Sequence, residues 1–280
     1  MNRYDNTARF LNRWGSEGSG LGQFQSPGEM RVDSAGFIFV VDSGNRRVQK
    51  FDSLGVALIQ FDLGDSAQNE TFDPRGVAIA SDGSVFVTDA GNHQVLKFSS
   101  GGLFIRSWGS EGDGPGQMRR PGSIAISASG NWVYVVDQGN NRVHRFETNG
   151  LHLGTWGTGG DGDGEFKDPG KLVVQSSGPI FVLDRGNHRV QRFTERGEFL
   201  NKWGTKGAGA GQFLAPEDMA RDTVTNVIYV SDSAAHQVQK FDARGRTLAR
   251  WGGQGEADGL FQGPTGIAVD STNHWIYVSD

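Results

Sequence analysis

The tetrapeptide Phe39-Val40-Val41-Asp42 returns five times along the chain. The copies read Phe86-Val87-Thr88-Asp89, Tyr134-Val135-Val136-Asp137, Phe181-Val182-Leu183-Asp184, Tyr229-Val230-Ser231-Asp232 and Tyr277-Val278-Ser279-Asp280. Successive aspartates stand 47, 48, 47, 48 and 48 residues apart. The surrounding unit keeps the same step. A turn follows the Asp: Gly44-Asn45, Gly91-Asn92, Gly139-Asn140, Gly186-Asn187 and the deviating Ala234-Ala235. It leads to Phe51, Phe98, Phe146, Phe193 and Phe241, and ten residues later to Phe61, Trp108, Trp156, Trp203 and Trp251. A loop, glycine-rich in most copies, then runs to Pro27, Pro74, Pro121, Pro169, Pro216 or Pro264, where an apolar stretch such as Gly76-Val77-Ala78-Ile79 begins.

Each unit therefore holds four short strands: A after the Pro, B ending in Asp, C ending in Phe and D ending in the aromatic. No segment shows helical periodicity. A lone four-stranded sheet of this length cannot bury both apolar faces, whereas sheets stacked radially bury them and a closed ring protects the edges. The expected fold is all-β: a six-bladed β-propeller, one domain over residues 1–280, with an architecture like that of WD40 proteins. The segment from Tyr4-Asp5 to Arg13-Trp14 aligns with Phe241-Asp242 to Arg250-Trp251. The last blade is thus expected to take strands C and D from the N-terminus and A and B from the C-terminus. Its B–C turn is short by about five residues against the other repeats, which points to a chain cut from a longer protein or redesigned to start and stop there. The linker Phe61 to Phe72 lacks the Trp and most of the glycines, and predicts a distinct loop and a less tightly packed strand D.

Composition narrows the function classes. Of 280 residues 43 are Gly, 8 are Pro and none is Cys, so disulfides, thiol nucleophiles and cysteine zinc sites are excluded. No stretch approaches the roughly 18 apolar residues of a membrane span, and Met1-Asn2-Arg3-Tyr4-Asp5 carries no signal-peptide apolar core. A net charge of −5 argues against non-specific nucleic-acid binding.

Repetition in every unit assigns Asp42, Asp89, Asp137, Asp184, Asp232 and Asp280 a structural role, capping turn N–H groups. Arg47, Arg142 and Arg189 are candidate partners of these aspartates, or exposed anion contacts. Trp14, Trp108, Trp156, Trp203 and Trp251 read as packing between outer strands of neighbouring blades. Trp132 and Trp275 break that pattern and are expected to be more exposed. The loops from Gly109 and Gly157 lack a following Gly-Lys-Ser/Thr and a helix N-terminus, so they are crossings rather than phosphate cradles. Asp161, Asp163 and Glu165 alternate and leave calcium as the one cofactor open, without the full twelve-residue ligand spacing. His93, His188 and His236 occupy equivalent turn positions, with Arg46 and Asn141 in the other copies; turns of different blades lie too far apart to share a zinc ion.

Trp203-Gly204 to Gln212-Phe213, Pro264 to Asp270 and Gly186-Asn187-His188-Arg189-Val190 give the chain a pattern that resembles the NHL-repeat family along nearly its whole length. The resemblance implies a six-bladed propeller that binds protein, RNA or another ligand through one face, commonly within a larger protein. A minority of the family are enzymes. The amidating lyase, a related propeller, places zinc-binding His just after the Pro of strand A; here those positions are Gly28, Arg75, Gly122, Gly170, Glu217 and Thr265. Lactonase-type propellers need a Glu/Asn/Asp metal set; Glu29, Glu217 and Asp218 lie near that region without a matching Asn.

The expected function is a non-catalytic binding or scaffold propeller, monomeric, that recognises a protein or peptide through the face carrying the D–A loops and B–C turns. Its expected contacts are Arg46, Arg47, Arg75, His93, Arg142, Lys171, His188, Arg189 and His236, with no catalytic residue and no metal ligand. RNA binding and a metal-dependent hydrolase or lyase are the alternatives. Acidic residues in the D–A loops, among them Glu17, Glu111, Asp113, Asp161 and Glu256, weigh against RNA.

Overall fold

Residues 1–4, 10–64, 70–175 and 178–280 are described by a computed structural model. They fall into two compact units, Gly15–Gly159, and Met1–Trp14 with Gly160–Asp280. Both units are all-β, and among the described residues each contains three four-stranded antiparallel sheets. The protein is a β-propeller.

In the first unit the sheets are Pro27–Val32, Ile38–Asp42, Arg47–Phe51, Ala57–Phe61; Pro74–Ile79, Val85–Asp89, Gln94–Phe98, Phe104–Trp108; and Pro121–Ile126, Trp132–Asp137, Arg142–Glu147, His152–Trp156. In the second they are Pro169–Val174, Ile180–Asp184, Arg189–Phe193, Phe199–Trp203; Pro216–Arg221, Ile228–Asp232, Gln237–Phe241, Thr247–Gly252; and a composite sheet. The composite sheet orders Phe10–Arg13, Asn2–Tyr4, Trp275–Ser279 and Gly266–Asp270, so strands from the two ends of the chain share it. Asn2 lies opposite Val278 and Tyr4 opposite Ile276. The repeat alignment had required this register, with Met1 at the place of Val238.

Strand B is buried along its whole length in four sheets, as in Ile38–Asp42 and Ile180–Asp184, and in the third sheet at every residue after Trp132. A strand covered on both faces reads as an unbroken apolar run, which is why the tetrapeptide does not alternate. Its side chains meet those of the neighbouring sheet. Phe39, Val41 and Phe61 cluster with Val87, Leu96 and Phe98, and Phe181 and Val190 with Phe213, Val230 and Phe241. Each fully buried aromatic contributes about 1.5–3 kcal/mol. In the second unit Asp222 of the fifth sheet meets His274 of the composite sheet, Oδ2 to Nδ1, at 2.8 Å.

The strand D tryptophans are half-buried, and Trp108 and Trp203 show the packing between neighbouring sheets that the repeat implies. Trp108 stands edge-on to Phe86 of its own sheet and 6.1 Å from Phe146 of the next. Trp203 does the same with Phe181 and Phe241. The next sheet's C–D turn presses Gly150 against Trp108, where an added Cβ would come within 2.9 Å of the indole. Two expectations are corrected. Trp132 and Trp275 are half-buried like the strand D set, and the Arg145 guanidinium covers Trp132 at 5.2 Å. The strand D ending at Phe61 is not loosely packed: Phe61 is fully buried between Phe39 and Phe98, because a phenyl ring enters where an indole does not. Residues 65–69 of the linker after it lie outside the described residues.

Removing residues 1–14 would strip two strands from the composite sheet and expose the edge of Trp275–Ser279. The expected outcome is a Tm lowered by on the order of 10 °C, read by calorimetry. An unchanged Tm would mean that the sheet does not depend on those strands.

Candidate functional site

The strand B aspartates are hubs. Asp42 Oδ1 accepts the Gln25 N–H at 2.7 Å, and its Oδ2 accepts from Asn45 Nδ2, Arg47 Nε and Gln49 Nε2, each at 2.9 Å. Asp184 repeats the set with the Lys167 N–H, Asn187, Arg189 and Gln191. Asp137 takes the Arg119 N–H, Asn140, Arg142 and His144. Asp89 holds Gly91 and Asn92 N–H groups besides Asn92 and Gln94 side chains, and Asp232 holds the Leu214, Ala215 and Ala235 N–H groups. These five carboxylates are fully buried. Asp280 is exposed and accepts the N–H groups of Gln262 and Gly263.

Such a hub draws the loop before strand A against the turn after strand B. Gly44 N–H donates to the Gln25 carbonyl at 2.9 Å, and a Cβ on Gly44 would lie 2.6 Å from that oxygen. Close approach, not a left-handed backbone, explains the Gly of Gly-Asn. In the fifth turn Ser233 makes the equivalent bond to the Ala215 carbonyl, so Ala234 is tolerated.

This arrangement corrects part of the expected contact set. Arg47 is buried and spends its guanidinium on Asp42, Gln60 and the carbonyls of Gly20 and Gln23. Arg189 likewise holds Asp184 and the carbonyls of Asp161, Gly162 and Glu165, and Arg142 holds Asp137, Asp113, Gly114 and Gln117. These arginines brace the D–A loops and do not face a ligand. Lys171 is also buried, 3.0 Å from Asp218 Oδ1, while Asp218 Oδ2 accepts the Ile267 N–H at 2.9 Å. That pair ties the inner strands of three adjacent sheets in the second unit.

The remaining predicted residues do stand at the turns. In the first unit Arg46 is exposed at φ 52°, Arg75 is exposed but paired with Asp73 at 2.8 Å, and half-buried His93 accepts the Arg120 N–H through Nδ1. In the second unit half-buried His188 and His236 occupy the same left-handed position, at φ 54° and 50°. The sequence reading missed Arg119 and Arg120, which precede Pro121 and are exposed. Among the described residues Arg46, Arg119 and Arg120 have no side-chain ion pair, so the turn ends of the first unit's sheets carry three uncompensated guanidinium groups. The reading also missed the Gln seven residues after the Asp. Gln49, Gln191 and Gln239 donate to the loop carbonyl of Gln23, Glu165 or Gln212 and accept from the N–H of Gly22, Gly164 or Gly211. The repeat alignment alone would have revealed them.

The candidate metal ligands are engaged elsewhere. Asp163 pairs with Lys202 at 2.7 Å and Glu165 folds back onto the Gly162 N–H. Glu29 meets Arg31 at 3.2 Å, and Glu217 meets Ser233 and Arg185. Among the described residues no three His, Asp or Glu side chains converge on a common metal position. Burial raises the Asp137 carboxyl, but hydrogen bonds from His144, the Arg119 N–H, Asn140 and Arg142 outweigh it and hold the group below the usual carboxylate range.

Comparison with known proteins agrees with the fold. Residues 162–251 match a family described as a 6-bladed β-propeller, and residues 73–98 match the NHL repeat. No curated protein matches the chain in sequence. A structural-genomics protein of unknown function from Bacteroides thetaiotaomicron is similar over 100% of this chain and 73% of its own, at 17% identity and a TM-score of 0.69. Virginiamycin B lyase from Staphylococcus aureus is similar over 87% and 74%, at 14% identity and 0.64. A chain of a nidogen/laminin complex is similar over 84% and 82%, at 14% identity and 0.62.

Replacing Asp184 by Ala leaves Arg189 buried without its counter-ion. The expected loss is about 3–5 kcal/mol in denaturant unfolding, against under about 1 kcal/mol for the exposed Asp280→Ala; equal losses would refute the hub. Asp137 is expected to contribute to acid unfolding. Its folded-state pKa is depressed, so the unfolded chain binds the extra proton, and its stabilisation is present above the unfolded value near 3.8 and lost as pH falls through the folded one. The stability of Asp137→Asn should therefore fall less steeply below that value than that of the parent.

Proposed function

We propose that this NHL-repeat propeller is a non-catalytic recognition module whose sheets form six blades of one ring and whose turn face takes an acidic segment of a protein partner. Six copies of the unit, the strand-sharing composite sheet and the matched family's description support the blade count. One observation carries the binding reading. The charged side chains that recur with the repeat are consumed inside the fold, whereas Arg46, Arg119 and Arg120 stand exposed at turn ends and, among the described residues, make no side-chain ion pair. Uncompensated guanidiniums on a rigid sheet end favour bidentate capture of carboxylates.

Acidic D–A loops beside these arginines make a patterned surface, which suits a specific polypeptide better than a uniform polyanion such as RNA. Similarity to the lyase at 14% identity reflects the fold alone, and no reaction is assigned to this chain.

Selection of a random peptide display library on the immobilised protein tests the proposal. Enriched peptides are expected to be rich in Asp and Glu, and their binding to fall at least about tenfold, or 1.4 kcal/mol, in a protein carrying Arg46→Glu, Arg119→Glu and Arg120→Glu with an unchanged melting curve. Peptides without acidic bias, or binding that survives the three reversals, would overturn it. A salt-sensitive gel shift with single-stranded RNA would favour the nucleic-acid alternative.

A further inference from the structure

We propose that His144, His152 and Thr155, on the two outer strands of the third sheet, form a binding site for a divalent transition-metal ion of the zinc type. The site appears where the repeat is broken twice. Seven residues after the strand B Asp, the other sheets carry Gln49, Leu96, Gln191 and Gln239, and the third carries His144. Four residues before the strand D aromatic, the others carry Phe10, Ala57, Phe104, Phe199 and Thr247, and the third carries His152. These two departures touch. His144 Nδ1 lies 3.2 Å from His152 Nε2 and 3.2 Å from Thr155 Oγ1, and His152 Nε2 lies 3.0 Å from Thr155 Oγ1.

Three donor atoms at the corners of a nearly equilateral triangle of this size share a point about 2.0–2.1 Å from each, the Zn–N distance. The second shell is in place. Fully buried His144 holds Asp137 Oδ2 through Nε2 at 3.1 Å, and Asp137 is itself buried. A carboxylate on that nitrogen keeps the proton there and turns the Nδ1 lone pair toward the triangle, as in carboxylate–histidine–zinc arrangements. Thr155 is exposed, so water can reach the fourth position and the ion has a path in. Arg142 shares the Asp137 carboxylate at 2.8 Å, and its charge opposes the ion's. The site therefore binds modestly, not with the affinity of a four-ligand structural centre.

Hydrogen bonds alone can also close the triangle, with His152 and Thr155 as donors, and metal titration separates the two cases. Isothermal titration with zinc chloride, and Co²⁺ absorption in parallel, should show uptake by the parent protein and a raised Tm. Two variants borrow residues that sister sheets already carry at these positions: His144→Gln and His152→Phe. Each should weaken uptake at least about tenfold and lose the Tm rise, with Thr155→Val weakening it less. No uptake by the parent would overturn the site, and so would uptake that both variants retain, since the ion would then sit elsewhere. Should a variant fail to fold, ring-nitrogen NMR of the parent decides: zinc must shift the His144 and His152 signals, and unmoved signals refute the proposal.

Discussion

A carboxylate withdrawn from water must be met by hydrogen bonds or it will not stay ionised. Five times in this chain that requirement organises the end of a sheet. In four of the five, the buried Asp at the end of strand B gathers main-chain N–H groups from the loop before strand A and side chains from the start of strand C, while Asp232 holds main-chain N–H groups of the loop and the turn. Three segments distant in sequence are thereby fixed against one another at each turn. The small turn residue, the Asn that follows and the Arg or Gln of strand C are consequences of this one group.

The hubs consume the recurring polar residues, and the exposed turn charges lie where the repeat varies. Residue four after the Asp is held in a left-handed conformation, and it reads Arg46, which is exposed, and His93, Asn141, His188 and His236, which are half-buried. Arg119 and Arg120 add charge just before strand A. The second repeat varies in another way. Its linker lacks the glycines that would present N–H and carbonyl groups, and Leu96 stands where sister sheets have Gln, buried in one apolar cluster with Phe72.

The third repeat departs by gaining polar groups. Replacing Gln by His144 removes the loop contacts that Gln49 and Gln191 make, and replacing Phe by His152 brings a second imidazole to it. Neither change is informative alone, since a single His in a strand is an ordinary substitution. Only their meeting on adjacent strands gives the pair a chemistry.

Sequence alone determined the strands, their order, the composite sheet and the structural nature of the aspartates, because a 47–48-residue period repeats each local signal and cancels local noise. It also placed the turn residues at one end of each sheet, since Pro27 must pair opposite Asp42. Tertiary structure decided which charges are free. Arg46 and Arg47 are neighbours of the same type, yet one points outward from a left-handed turn and the other is buried on Asp42. Lys171 and Asp218, 47 positions apart, neutralise each other between adjacent inner strands. Burial and pairing depend on what the neighbouring sheet brings, and no local pattern along the chain carries that information.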